Sequence, residues 1–179
     1  MTEDGLESTF AINHLGYFLV TNLLLDLLKK SAPSRIVNVA STAHKFGKLE
    51  INEWPTGRDY SAFGAYANSK LANVLFTYEL AKRLKGTGVT ANCLHPGAVG
   101  TNLFRGLPGF VQAVIKLATI GPASGAATSI FLSSSPQVEG VTGKYFARRR
   151  QQRSSEASRN EEAARQLWEL SAELTGLDG

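Results

Sequence analysis

Apolar residues recur at mixed spacings of three and four from Leu6 to Lys30, the period of one helix face, and predict a long first helix. Asp4 stands where it would cap that helix, and Lys29 and Lys30 stand where cations suit the dipole. The run "APS" ends it. "RIVNVA" (Arg35–Ala40) is short, rich in β-branched residues and bounded by turn formers, as a buried strand requires. A polar, glycine-containing loop to about Phe63 leads into a second helix over residues 65–84. Its apolar stripe is Leu71, Val74, Leu75, Tyr78, Ala81 and Leu84. Gly86 and Gly88 end it, "VTANCL" (Val89–Leu94) predicts a second buried strand, and "HPG" terminates that strand.

Further along, Leu103–Ile120 is apolar but interrupted by Gly and Pro, a helix is expected over Ala123–Leu132, and "GKYF" (Gly143–Phe146) reads as a third strand. A polar linker is expected over about 148–157 and a terminal helix over about 160–175, with Ser158 and Glu161 at capping-box spacing. Helix and strand alternate, which is α/β order and implies parallel strands joined by right-handed crossovers. With 179 residues and no internal repeat, one domain over 1–179 is expected.

Composition narrows the function classes. Apolar residues make up 43% and charged residues 19%, ordinary for a globular chain and unlike a disordered one. The charge of +4 is mild, and part of it lies in "RRRQQR" (Arg148–Arg153), which lacks interleaved aromatics, so no nucleic-acid partner is expected. A lone cysteine, Cys93, excludes an internal disulfide, fits a reducing compartment and sits in a predicted strand as packing. His14, His44 and His95 have no metal-ligand spacing, so no metal site is expected and they read as structural or loop residues. The most apolar run, "YFLVTNLLLDLL", is broken by Asn22 and Asp26 and falls short of the ~20 apolar residues of a membrane span. No signal peptide is visible, and the default location is cytoplasmic.

The candidate chemistry is "YANSK", Tyr66 to Lys70, which puts a phenol and an ammonium on one helix face, one turn apart. Ligands of open α/β sheets bind beyond the carboxyl ends of the strands. Ser41 follows the first predicted strand, "HPG" (His95–Gly97) follows the second, and Tyr66 begins the helix between them. A hydroxyl, a phenol with its cation and a turn are therefore brought to one end of the sheet.

"NVAST", "YANSK", "HPGAVGT" and, in the first helix, "NHLG" together resemble the short-chain dehydrogenase/reductase superfamily, and the surrounding wording is similar to its retinol dehydrogenase-like branch. The likeness runs from about Asp4 to Leu177. It implies the C-terminal part of a Rossmann-like doubly wound parallel sheet, and an oxidoreductase using NADP or NAD on a lipophilic alcohol, aldehyde or ketone. By that resemblance Tyr66 is the tyrosine that exchanges a proton with the reacting oxygen. Lys70 is the lysine that tunes it and binds the nicotinamide ribose, Ser41 hydrogen-bonds the reacting oxygen, and Asn13 holds a water of the proton relay. Pro96, Gly97, Val99 and Thr101 form the turn facing the nicotinamide, and Leu103–Ile120 covers the substrate.

The physical need for the set can be stated independently. A free tyrosine titrates near ~10, and a base works best near the working pH, so ~4 kcal/mol of differential stabilisation is called for. One positive charge at ~4 Å and an effective dielectric of ~20 supplies about that much.

No counterpart of the family's glycine-rich first turn appears; "GTG" (Gly86–Gly88) precedes a strand, the wrong context for a pyrophosphate loop. The chain begins at about the helix between the family's fourth and fifth strands, so a truncated product or a misplaced start is expected. The strand "RIVNVA" then exposes an edge, an association hazard that admits a homo-oligomer. Two alternatives remain. An epimerase or dehydratase shares Tyr-x-x-x-Lys but usually carries a larger C-terminal substrate domain. The other is a catalytically incompetent fragment acting at most as a binding or association module.

Overall fold

The computed structural model describes residues 1–58, 60–97 and 122–177, within which four strands form one sheet in the order β1-β2-β3-β4. β1 (Ser34–Val39), β2 (Val89–His95) and β3 (Tyr145–Ala147) run parallel, in a register pairing Val39 with Leu94 and His95 with Ala147. β4 (Arg150–Gln152) returns antiparallel on β3 across a two-residue turn. The expected linker over about 148–157 thus contains a strand. Its sequence has no apolar alternation, and only its pairing with β3 makes it extended.

Successive strand residues face opposite sides, and helices cover both. On one side Ile36, Ala91, Cys93 and Tyr145 lie in clusters with Phe18 of α1 (Ser8–Lys30), Val74, Phe76 and Leu80 of α2 (Ala62–Arg83) and Trp168 of α4 (Glu161–Thr175). On the other, Val37, Val39, Leu94 and Phe146 pack with Phe131 and Leu132 of α3 (Pro122–Ser134). This is the doubly wound α/β arrangement expected, with every predicted helix and strand of the described residues present.

Some details differ from expectation. Glu7, not Asp4, caps α1, its carboxylate accepting from the Thr9 and Phe10 N–H groups. Asn160, not Ser158, caps α4: its side chain accepts from Ala163 N–H at 3.0 Å, while the Ser158 hydroxyl donates to Ser155 C=O. Ser158 is itself inside the turn Ala157–Arg159, and Asn160, the next residue with extended backbone, takes the cap position. The apolar run of α1 also extends beyond the stretch read from sequence: Ser8–Lys30 spans 23 residues, long and apolar enough by length and composition to cross a membrane. Phe10, Leu15 and Phe18 nevertheless anchor it in the core.

Candidate active site

α2 opens at Ser61, whose side chain accepts from Gly64 N–H, and carries Tyr66, Lys70 and Asn73 at positions i, i+4 and i+7 of one face. Tyr66 is half-buried and Lys70 buried. The Lys70 ammonium donates to the Val39 carbonyl at 3.1 Å, and Asn73 Nδ2 donates to the same oxygen at 3.3 Å. Val39 ends β1, two residues before Ser41. The two hydrogen bonds therefore fasten the Tyr66–Lys70 face of α2 to the carboxyl end of the strand that delivers Ser41. Lys70 Nζ lies 5.7 Å from the centre of the Tyr66 ring, and burial pushes the ammonium's pKa below its ordinary value.

Ser41 is buried, extended in backbone, and caps a short turn over Thr42–Phe46 by accepting from Ala43 N–H at 3.2 Å. A serine oxygen that accepts from its own turn keeps its O–H free to donate elsewhere. The turn sits hard on α2. At Gly47 a Cβ would come within 2.8 Å of Leu71 Cβ and 3.1 Å of Ala67 O, so only glycine fits there. His95, the last residue of β2, accepts from Thr42 N–H at Nδ1 over 3.4 Å and so ties the ends of β1 and β2 together. Pro96 and Gly97 follow, Gly97 at φ 99°, a conformation favouring glycine. Val99 and Thr101, and the segment Leu103–Ile120, lie outside the described residues.

Asn13 falls within a π-helical turn, Ala11–Leu15, inside α1. Such turns appear frequently at functional sites. Its Nδ2 donates to Ser69 Oγ at 3.1 Å, and that hydroxyl donates to Tyr66 C=O at 2.8 Å, so Asn13 is linked to the backbone beneath the phenol.

Three groups not singled out for the site support it. Asn73 shares the Val39 carbonyl with Lys70, and its Oδ1 meets His14 Nδ1 at 3.3 Å. The far nitrogen of His14 meets Ser171 of α4 at 2.9 Å, and burial holds the imidazole's pKa down to about 4, so it is neutral at pH 7. His44 lies fully buried under Ser41. The helical periodicity from Tyr66 through Lys70 could have pointed to Asn73; nothing in local spacing reaches Ser171. Among the described residues no group of three or more His, Cys, Asp or Glu could hold a metal ion. A cavity of about 900 Å³ lies near the amino ends of the strands, lined by Ser34, Val89 and Gly143, and includes none of Asn13, Ser41, Tyr66 and Lys70.

Comparison with known proteins adds a separate line. The family model described as short chain dehydrogenase matches residues 1–109. The chain is 48% identical to retinol dehydrogenase 14 of Homo sapiens over 98% of its own length and 54% of that protein's. It is 46% identical to retinol dehydrogenase 13 of Homo sapiens over 99% of its own length and 56% of that protein's. It thus spans about half the length of the curated relatives it matches. In structure it is similar to a crystallised, uncharacterized protein from Mycobacterium Paratuberculosis, with a TM-score of 0.69 and 31% identity, over 99% of this chain and 62% of that one.

Proposed function

Since this chain belongs to the short chain dehydrogenase family, we propose that it carries the proton-transfer side of an NAD(P)-dependent oxidoreductase site interconverting an alcohol and an aldehyde or ketone. The observation that carries this reading is the Lys70–Val39 hydrogen bond, which couples the helix of Tyr66 to the strand of Ser41. The retinol dehydrogenase names of the relatives favour a lipophilic substrate.

The residues fit a nicotinamide cofactor in two respects. Lys70 donates to one neutral oxygen, the Val39 carbonyl that Asn73 Nδ2 shares, leaving ammonium protons to donate to ribose hydroxyls. Gly97 lets the backbone after β2 turn without a side chain in the way. When bound, the nicotinamide ring supplies or accepts the hydride. Lys70 and Tyr66 would hold the ribose, and Pro96 and Gly97, with Val99 and Thr101, would face the ring.

Within the chain, Ser41 donates its free hydroxyl proton to the substrate oxygen, as an oxyanion donor does. Tyr66 exchanges the proton with that oxygen, and Lys70 stabilises the charge that appears on the phenol. Asn13, through Ser69, fixes the backbone carrying Tyr66. Purified chain with NADPH and retinal should oxidise the cofactor, and Tyr66→Phe should lower the rate by ~10²–10⁴-fold. Undiminished turnover in Tyr66→Phe would remove the assignment.

A second reading, an association module without turnover, is favoured by one feature: Val20, Leu23, Leu24 and Leu27 form an exposed apolar stripe on α1. Cofactor titration beside size-exclusion chromatography separates the two. A monomer that binds NADPH supports the enzyme, and an associated species that binds none supports the module.

A further inference from the structure

We propose that His44 is the positioning residue of Ser41, a neutral imidazole clamped between the Ser41 carbonyl and the C-terminal segment, which fixes where the Ser41 hydroxyl stands. The inference rests on the reading of Ser41 given above and deepens it. Its geometry is independent of that reading.

The ring is fully buried. Nδ1 lies 2.6 Å from Ser41 O, which can only accept, so Nδ1 carries the proton. On the other side Nε2 lies 3.1 Å from Ser155 N, which can only donate, so Nε2 carries the lone pair. The two partners fix one tautomer and one charge state. Neither a doubly protonated ring nor the opposite tautomer can satisfy both. The Tyr145 ring of β3 stands against the imidazole, with centres 4.9 Å apart and planes tilted by 59°, and fills the space beside it.

What the clamp joins is informative. Ser41 begins the turn Thr42–Phe46 and has no strand pairing of its own to hold it, since β1 ends at Val39. Its hydroxyl is oriented by the Ala43 amide, two residues on, and its carbonyl accepts from both the His44 backbone N–H at 3.1 Å and the His44 imidazole, of which only the imidazole reaches the C-terminal segment. Ser155 belongs to a segment fixed separately: Tyr78 of α2 donates to Ser154 Oγ at 2.8 Å, and Ser158 donates to Ser155 C=O at 2.7 Å. His44 therefore carries the rigidity of that segment, 111 residues away in sequence, to the one loop that must hold a hydroxyl in register with Tyr66. The charged and titratable groups around the ring are Lys45 beside it, His95 at the end of β2 and Tyr145 on β3, with Arg148 next to His95. Burial and the adjacent Lys45 cation oppose a positive charge on the ring, in keeping with a neutral clamp.

The test compares His44→Leu, which keeps bulk without hydrogen bonds, with His44→Asn, whose amide can still donate to the Ser41 carbonyl. The readout that does not need turnover is amide hydrogen exchange in the full chain. In His44→Leu the Ala43 and Ser155 amides should each exchange about 10-fold faster, with amides in the middle of α2 unchanged; His44→Asn should restore Ala43 but not Ser155. With NADPH and retinal, His44→Leu should lower kcat about 10-fold at unchanged KM, and His44→Asn should recover most of it. Unchanged Ala43 and Ser155 exchange in His44→Leu, or a wild-type ring carrying its proton on Nε2 by ¹⁵N NMR, overturns the proposal. Absence of turnover in the wild type, with the exchange pattern as described, overturns the reading of Ser41 and leaves the clamp standing. Exchange that follows the pattern while kcat stays at the wild-type value overturns the positioning role.

Discussion

Tyr66 and Lys70 stand one helix turn apart on α2, and Ser41 follows the end of β1. The places of these three candidates follow from chain order, whereas the groups packed around them come from far along the chain. His14 and Ser171 meet across 157 residues, and Lys70 spends its buried ammonium on a backbone carbonyl that no side-chain pattern reveals. Two expectations follow at this scale. His14 has its pKa lowered from 6.5 to about 4 by burial, so between those values the unfolded chain binds the proton and the folded chain does not. Its contribution is complete above pH 6.5 and is lost as pH falls from 6.5 toward 4, amounting to roughly 2 kcal/mol by pH 5. Urea unfolding at pH 7.5 and at pH 5 should show that drop, and His14→Gln should flatten it; an unaltered slope in the variant would assign the drop elsewhere. The second concerns Lys70→Met. Burial disfavours the ammonium and Asn73 still donates to Val39 O, so the unfolding midpoint should hold or rise while turnover falls at least ~100-fold. A fall in stability with activity retained would make Lys70 a structural residue.

At the scale of elements, periodicity located each helix and parallel strand of the described residues but not their ends or their irregularities. A π-turn adds a residue to one helical turn without altering the apolar pattern enough to notice, so Ala11–Leu15, and with it the placing of Asn13, was illegible. The β3–β4 hairpin is the opposite case, where local chemistry argues against the structure. Its two turn residues, Arg148 and Arg149, adopt φ of 52° and 59°, a backbone that two-residue hairpins ordinarily give to Asn and Gly. A non-glycine residue in that region costs roughly 1–2 kcal/mol. Replacing Arg149 by Gly at an observed positive φ should therefore raise the melting temperature by about 2–4 °C for each kcal/mol relieved. Calorimetry of Arg149→Gly beside Arg150→Gly, which lies in β4 where glycine is disfavoured, should give shifts of opposite sign. Two shifts of the same sign would show that the turn is not strained.

For the whole molecule, the sheet order leaves β1 with one strand neighbour among the described residues. What the sequence did not show is that the apolar surface beside that edge is continuous. Val20, Leu23, Leu24 and Leu27 stand at i, i+3, i+4 and i+7 of α1, a helical stripe of the kind that normally faces a core, yet all are exposed, Leu23 at 66%. Between this stripe and β1 runs a groove of about 490 Å³, floored by Tyr17, Leu28, Ile36 and Val37. An unpaired strand edge next to a contiguous apolar face promotes association, because one contact can satisfy backbone hydrogen bonds and remove apolar area from water together. The chain should therefore associate with a concentration dependence visible by sedimentation velocity. Leu23→Glu with Leu27→Lys puts an i,i+4 ion pair on the stripe, which keeps the helix while removing its apolar character. That variant should sediment as a monomer where the parent does not, with unchanged circular dichroism. Equal association in both would show that α1 is not the face responsible and shift attention to the β1 edge itself, where a proline at an outward-facing amide would be the corresponding substitution.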